Sequence, residues 1–589
     1  MSAYKGTLGS ALINTALPPE YRVKSGANAR DLKKSLIRLA QDDPTKYTSI
    51  IPKVKKIGDE FATLEGISVG LDDITPQYAK RNAILSKAKK KIKSSRTAKG
   101  IADALIEAQK STMSVAISHP GDLGLQARSG SRGNVVQLMK TLASPIVVGD
   151  SKGAPIPYLI ERGYSEGLSP AEAWIAGDES RSQVISGQLG TADPGDLGKI
   201  LASTMNSQVI ASDDCGTKNG ILVDPQKATG RYHAGGSARR VSRADMSGAK
   251  KRIRARSPLT CELPKGVCQK CMGVGVSGRH SSIGTNVGVQ AATTLSEPLT
   301  QMQLSAKHGI SLVKGDRNTP RGVSAVRQFI EVPKSFFHKA VLSDSTGEVS
   351  AIAKAPQGGF DVSIGDTKHY VPPDRNLRVA RGDSVEVGDI LSSGIPSPSE
   401  VVHRKGLGAG REYLVSALDG VYSDAGQNVD RRHLELLARS QLGFVKVTGR
   451  VPGYLPGEVI PYGEYQSTIS APSKATPIKA ASGKTLAEPV LHHLPGTVVS
   501  RSMLADLKEA GVSAIKVTDE APDIMAHMAP ASRTPLLNPN WMARLGHRYQ
   551  KKTILEAAAY GQKADLHGYD PIPGIVFGKE LTRGPKGTY

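Results

Sequence analysis

Only four cysteines occur in this chain of 589 residues, and three of them fall in one short run. Cys261, Cys268 and Cys271 are spaced C-x6-C-x2-C, and Cys215 stands upstream in Asp213-Asp214-Cys215-Gly216-Thr217. This spacing constrains the fold locally. The gap in Cys268-x-x-Cys271 lets one short turn present both sulfurs to a single ion, and four thiolates match the ligand count of a closed tetrahedral zinc site. A structural Zn2+ held by Cys215, Cys261, Cys268 and Cys271 is therefore expected. A buried or redox-active thiol pair is the alternative, because C-x-x-C also serves redox chemistry. A disulfide framework is not expected in a chain this long that opens Met1-Ser2-Ala3-Tyr4-Lys5, without an apolar stretch of signal-peptide length. An intracellular location is the default reading.

Hydrophobic content of 39% and charged content of 22% describe a folded chain long enough for several domains. No apolar run approaches the ~20 residues needed to span a bilayer, so no membrane partner is expected. The net charge of +23 suits a polyanionic partner. Basic residues cluster twice. Lys80 to Lys99 holds nine Lys or Arg and no acid, in a helix-compatible segment; Arg231 to Arg256 holds nine against the single acid Asp245. Each cluster reads either as a solvated face or as a phosphate-contacting surface.

Two patterns mislead. Gly483-Lys484-Thr485 ends like a phosphate-binding loop, but Ile478 stands where the bending glycine is needed. Gly273-Val274-Gly275-Val276-Ser277-Gly278 satisfies G-x-G-x-x-G yet follows a metal-ligand turn rather than a strand.

After the cysteines come Val287-Gly288-Val289-Gln290-Ala291-Ala292, then Glu297-Pro298-Leu299-Thr300-Gln301-Met302-Gln303-Leu304, ending in His308-Gly309. In this order and spacing the segment resembles the part of the RNA polymerase β′ subunit that carries a bound zinc and then the mobile trigger loop. The resemblance is nearly collinear along the chain. Gly6 to Leu12 with Leu17-Pro18 looks like the region just downstream of the family's catalytic aspartate loop, and Gly66-Ile67-Ser68-Val69-Gly70-Leu71-Asp72-Asp73 is similar to its "SxGxDD" turn. Arg128-Ser129-Gly130-Ser131-Arg132-Gly133-Asn134 is similar to its "SGARG" loop. Residues from Glu179 to Asn206 align with its bridge helix. There Gly187, Gly190, Gly195, Gly198 and Pro194 predict a helix that bends, or else a loop over residues 187–196. Later, His433-Leu434-Glu435-Leu436-Leu437-Ala438-Arg439, Ala531-Ser532, Thr553 to Ala558, and Asp565-Leu566-His567-Gly568 resemble further β′ segments.

The implied fold is mixed α+β and multidomain, the C-terminal half of the β′ double-psi-barrel pincer without its catalytic barrel loop. Its expected parts are a funnel-side segment (1–78), a basic helical rim (79–115) and the active-site-flanking loop with its lead-in (116–178). A bridge helix (179–208), zinc-binding module (209–280) and trigger loop with supporting helices (281–331) follow. A β-rich jaw-like region (332–412) and a C-terminal helical and β region (413–589), associated with the clamp and packing on partner subunits, complete it.

Carried over residue by residue, the resemblance implies roles around a nucleotide. His308 falls on the histidine that approaches the β-phosphate, Leu304 on the position that packs against the nucleobase, and Gln301 on the ribose contact. Arg132 and Arg181 match arginines lining the cavity, with a structural salt bridge as the alternative for each. Thr191 and Ala192 match positions facing the templating base pair. Ser305, Ala306 and Lys307 depart from the family's arginine, threonine and phenylalanine.

The family's magnesium-holding "NADFDGD" run is absent from this sequence. The implied enzyme is thus a DNA-directed RNA polymerase, a nucleotidyltransferase active only in a complex, with Mg2+ ligands on a partner chain. Expected partners are the N-terminal part of β′, the β subunit or its parts, template DNA, nascent RNA, nucleoside triphosphates and a promoter-specificity subunit. The compact form, with no inserted domain after His308, favours a split polymerase of the giant-bacteriophage type, working in the cytoplasm of the host bacterial cell or packaged in the virion. The alternative is a catalytically inactive, zinc-stabilised nucleic-acid-binding protein on the same scaffold.

Overall fold

The computed structural model describes residues 6–150, 155–188, 190–236, 239–248, 251–275, 278–308, 322–468, 473–520, 522–547, 549–564 and 571–578. The fold is mixed α+β and divides into two compact units, residues 1–192 with 303–315 and residues 193–302 with 316–589. Among the described residues no helix is long and apolar enough to cross a membrane.

The first unit is built from helices, and its local signals are easily read. Thr7, Asn28, Asp43, Thr97 and Asn134 each accept a backbone N–H at a helix start. Such caps satisfy donors that the first turn leaves without partners. The basic stretch forms the helix Tyr78–Ser94, which packs against Ala98–Ile117 through Leu85, Ala88, Leu105 and Ala108. Lys91 pairs with Glu107 across the two helices at 2.6 Å, and Lys89 pairs with Glu161 at 2.8 Å. Arg81 is buried against Glu166. Part of this basic run is therefore neutralised within the fold, while Lys90, Lys93 and Lys99 face solvent.

The second unit carries the largest core, which runs from Leu197 to Ala531 and gathers the helices Ala192–Met205, Val287–His308, Gly322–Glu331, Pro398–Asp424 and Arg431–Gln441 around the cysteine module. Residues 332–397 are β-rich. Gly347–Lys354 pairs antiparallel with both Phe360–Ile364 and Ser384–Val385, and Thr367–Val371 adds to the far side of Phe360–Ile364. The helix Pro398–Asp424 starts inside the span expected to be β-rich to residue 412, because Pro398 at the first helical position opens it. That helix kinks at Gly406, whose φ of 84° is closed to most side chains. Two three-stranded sheets lie further on, one of Val459–Pro461, Phe444–Val447 and Ile524–His527, the other of Lys474–Pro477, Ala514–Thr518 and Thr485–Leu486.

Over residues 179–208 the structure has two helices. Pro170–Gln188 ends, a turn at Gly190 and Thr191 follows, and Ala192–Met205 begins. Pro194 sits in the first turn of the second helix, where its missing N–H has no helical acceptor to lose. Proline is thus a starter here, and the glycine-rich stretch before it interrupts the helix instead of bending it.

Candidate metal centre and active-site elements

The four cysteines converge. Their sulfurs all lie within 4.8 Å of one another, and none is in a disulfide. Cys261, Cys268 and Cys271 are buried and Cys215 is half-buried. The Sγ atoms of Cys215 and Cys271 stand 3.7 Å apart, close to the ~3.8 Å edge of a tetrahedron with ~2.3 Å zinc–sulfur bonds. Strand Ile210–Ser212, running parallel to Val267–Cys268, brings Cys215 to the later cysteines, and the short helix Gln269–Met272 carries Cys271. The Cys271 N–H donates to Cys268 Sγ at 3.3 Å, and the Cys268 N–H donates to Cys261 Sγ at 3.4 Å.

A fifth residue completes the cluster's electrostatics. The Arg256 guanidinium is buried, and its Nη2 lies 3.2, 3.5 and 3.4 Å from the sulfurs of Cys215, Cys268 and Cys271. Its Nη1 pairs with Asp214 at 2.7 Å, and Lys270 pairs with the same carboxylate at 2.8 Å. Burial opposes ionisation of Asp214, but the hydrogen bonds from Lys270, the Gly216 N–H and Arg256 outweigh it and hold the carboxyl down at about 2. Four thiolates around a divalent ion carry excess negative charge, and a buried guanidinium against three of them offsets it. The donor set, its spacing and this outer shell fit a structural zinc ion held by Cys215, Cys261, Cys268 and Cys271.

The helix Arg431–Gln441 holds the module from behind. Arg432 donates to the carbonyls of Met272 and Val274 at 3.1 and 2.8 Å. Arg439 donates to the carbonyls of Pro258, Cys261, Leu263 and Gly266, at 2.7 to 3.2 Å. Between them on the same helical face, Glu435 accepts from Arg231 and Ser257. Sequence reasoning missed these anchors. The signal that marks them is a set of charges at i, i+3 and i+7 on a helix otherwise built to be buried. Part of the second basic run is likewise neutralised within the fold, where Arg231 pairs with Glu435, Arg239 with Asp245, Arg252 with Asp506 and Glu509, and Arg256 with Asp214, while Arg240 and Lys251 face solvent.

Adjoining the module, two helices approach closely through glycines. A Cβ on Gly288 would lie 1.8 Å from the Met205 carbonyl oxygen, and one on Gly198 would lie 3.1 Å from Ser296 Oγ. Asn286 caps Val287–His308 by accepting from the Val289 N–H at 2.9 Å, while its amide donates to the Asn206 carbonyl at 2.7 Å. Pro298 removes the N–H that would bond the Thr294 carbonyl. The next carbonyl, that of Leu295, accepts from the buried Tyr422 hydroxyl at 2.8 Å. Arg327, on Gly322–Glu331, reaches Asp193, donating to its carbonyl at 3.2 Å.

The residues expected to meet a nucleotide are distributed as follows. Gln301 is exposed on Val287–His308 in the second unit. Leu304 and His308 belong to the last turns of that helix, but their side chains, and residues 309–321 entirely, lie outside the described residues. In the first unit Arg132 is exposed in the loop before Asn134, the cap of Val135–Leu142, and Arg181 is exposed and paired with Asp178 one turn away. Thr191 donates to the Gln188 carbonyl at 3.4 Å, and Ala192 is exposed. Lys140, on Val135–Leu142, pairs with Glu179 at 2.6 Å and ties the flanking loop's helix to Pro170–Gln188. The segment Asp565 to Gly568 also lies outside the described residues.

Comparison with known proteins bears on this arrangement. The family model described as RNA polymerase Rpb1, domain 5, matches residues 167–357, a span that contains the cysteine module and the helices on both sides of it. The β′ subunit of DNA-directed RNA polymerase from Moorella thermoacetica is 28% identical over 509 residues, covering 76% of this chain and 43% of the relative. This chain is a homologue of the C-terminal portion of an RNA polymerase β′ subunit.

Other β′ subunits agree. That of Acetivibrio thermocellus is 26% identical, covering 76% of this chain and 44% of the relative; that of Salinispora arenicola is 28% identical, covering 78% and 40%. This β′ homologue therefore spans less than half the length of the relatives it matches.

Proposed function

We propose that this chain works within a multisubunit DNA-dependent RNA polymerase, contributing the bridge helix (179–208) and the trigger loop (281–331) to nucleotide addition. The observation that carries the reading is the match to RNA polymerase Rpb1 domain 5 over residues 167–357, which include both segments and the cysteine module between them. In this reading His308 donates a proton or holds a positive charge beside the β-phosphate, Leu304 packs on the base and Gln301 contacts the ribose. Arg132 and Arg181 meet phosphate oxygens, because a planar guanidinium donates two hydrogen bonds at once. Thr191 and Ala192 face the templating base pair, where small side chains permit close approach. Folding of the loop after His308 closes the site and excludes water.

Two magnesium ions supply activation of the attacking 3′-hydroxyl and stabilisation of the leaving oxygen. Their ligands come from a partner chain carrying an aspartate loop, since no such run is present in these residues. The short connection between His308 and Gly322 favours a giant-phage type of split enzyme, with β-subunit chains, DNA, RNA, nucleoside triphosphates and a promoter-specificity subunit as partners, in the cytoplasm of the infected cell or carried in the virion.

Purification from the native source under mild conditions, with mass spectrometry of co-eluting chains and an RNA-synthesis assay, tests this. A partner with an aspartate loop and magnesium-dependent synthesis is the expected result. A solitary, inactive, zinc-bearing chain that binds nucleic acid would overturn it in favour of a binding protein on the same scaffold.

A further inference from the structure

A second cluster of metal-ligating side chains lies well away from the cysteines in sequence. Val490 and His493 bond each other through their backbones at 2.9 and 3.1 Å, closing a tight turn over Leu491 and His492. Leu491 takes a φ of 51°, rare for a bulky side chain, and is buried in a small core. Within this turn the two histidine rings lie with centroids 4.0 Å apart. The carbonyl of His492 and the Cα of His493 crowd Gly408, which has no room for a side chain.

Both imidazoles are buried, His492 being 8% and His493 4% exposed. Neither ring nitrogen of His493 has a hydrogen-bond partner among the described residues, nor has Nδ1 of His492. Buried polar atoms are almost always satisfied, and a group of them left open in one place marks a missing partner. Asp506, on helix Arg501–Glu509, supplies a carboxylate to the same place: one ligand atom from each of the three residues lies within 4.8 Å of the others. Arg252 pairs with Asp506 Oδ1 at 3.0 Å, but it is also held by both oxygens of Glu509, and the Asp506 carboxylate has a second oxygen.

We propose that His492, His493 and Asp506 form a second metal site, taking a divalent transition ion of the zinc class through two imidazole nitrogens and one carboxylate oxygen. Imidazole with carboxylate selects such ions over magnesium or calcium, and three protein ligands leave one position for water. The surroundings give the ion a structural task. The sheet of Lys474–Pro477, Ala514–Thr518 and Thr485–Leu486 rests on a satellite core of eight buried apolar residues, Leu491 and Leu507 among them. An ion here links the 490–493 turn to the helix carrying Asp506.

The test is metal stoichiometry on the full chain, by elemental analysis after zinc loading and by cobalt substitution. The expected result is two equivalents of zinc. The first cobalt ion gives intense thiolate charge-transfer absorption, and the second adds only weaker visible bands. His493→Gln and Asp506→Asn should each lose the second equivalent, or weaken it at least tenfold, while keeping the cysteine-bound ion; that retained ion reports that the variants fold. One equivalent in the unaltered chain, with no second uptake on titration with zinc, overturns the proposal whatever the variants do.

Discussion

Arg231 and Glu435, far apart in sequence, form a two-pronged ion pair at 2.6 and 2.9 Å with both side chains essentially inaccessible to solvent. Glu435 also accepts from Ser257 at 2.7 Å, so one buried carboxylate joins the helix Arg431–Gln441 to the loop leading into Cys261. Removing one partner of such a pair leaves an uncompensated buried charge, which costs about 3–5 kcal/mol. Arg231→Met and Glu435→Gln should each destabilise the second unit by that order, and the double variant should cost clearly less than their sum. Denaturant unfolding of the four proteins measures this coupling; simple additivity would contradict it.

The cysteine module should depend on its ion. Cys268→Ser removes one of four ligands, and chelation removes the metal itself; either should empty the cysteine site and expose residues 209–280 to proteolysis. Structural zinc contributes folding free energy directly. Bound zinc measured alongside limited digestion checks the point, and unaltered protection in metal-free protein would count against it.

Glu172 gives the first unit an acid-sensitive contact. Its buried carboxylate accepts from the N–H groups of Glu161 at 2.7 Å, Arg162 at 3.3 Å and Ser169 at 2.8 Å. Burial pushes its pKa up, but the hydrogen bonds from Ser169, Glu161 and Arg162 prevail, and the net shift is down from 4.5. The unfolded chain therefore takes up this proton more readily than the folded one. The stabilisation is full above about pH 5 and is lost as the pH falls below 4.5 through the lower folded value. Glu172→Gln should cost about 1–3 kcal/mol at neutral pH and flatten this part of the acid limb. Stability measured from pH 7 to 3 reads both effects.

Gly288 is the tightest of the helix contacts. Because its Cβ would lie 1.8 Å from the Met205 carbonyl oxygen, Gly288→Ala must push the two helices apart, at a cost of about 3 kcal/mol. Gly195→Ala is the control: nothing lies within 4 Å of that position, and a helical Gly→Ala change there should be neutral or stabilising by up to about 1 kcal/mol.

Legibility in the sequence followed from how local each constraint is. The cysteine spacing revealed the metal ligands because the turn between Cys268 and Cys271 is set by two residues. Pro194 misled because proline breaks a helix interior yet suits a first turn, and only knowledge of where the helix begins separates the two. Arg432 and Arg439 were hidden because their partners are carbonyls far along the chain, and Arg256 because its partners are sulfurs and not carboxylates alone. The pairing of Arg231 and Arg252 in the second basic run was hidden for the same reason: their partners Glu435, Asp506 and Glu509 are remote in sequence.

The most direct test of the central claim is the single-nucleotide addition rate of the assembled polymerase carrying His308→Ala. Loss of a positioned acid or cation predicts a fall of about 10²–10⁴-fold, with assembly and zinc content unchanged. An addition rate equal to that of the unaltered complex would contradict the role given to this histidine and to the loop that carries it.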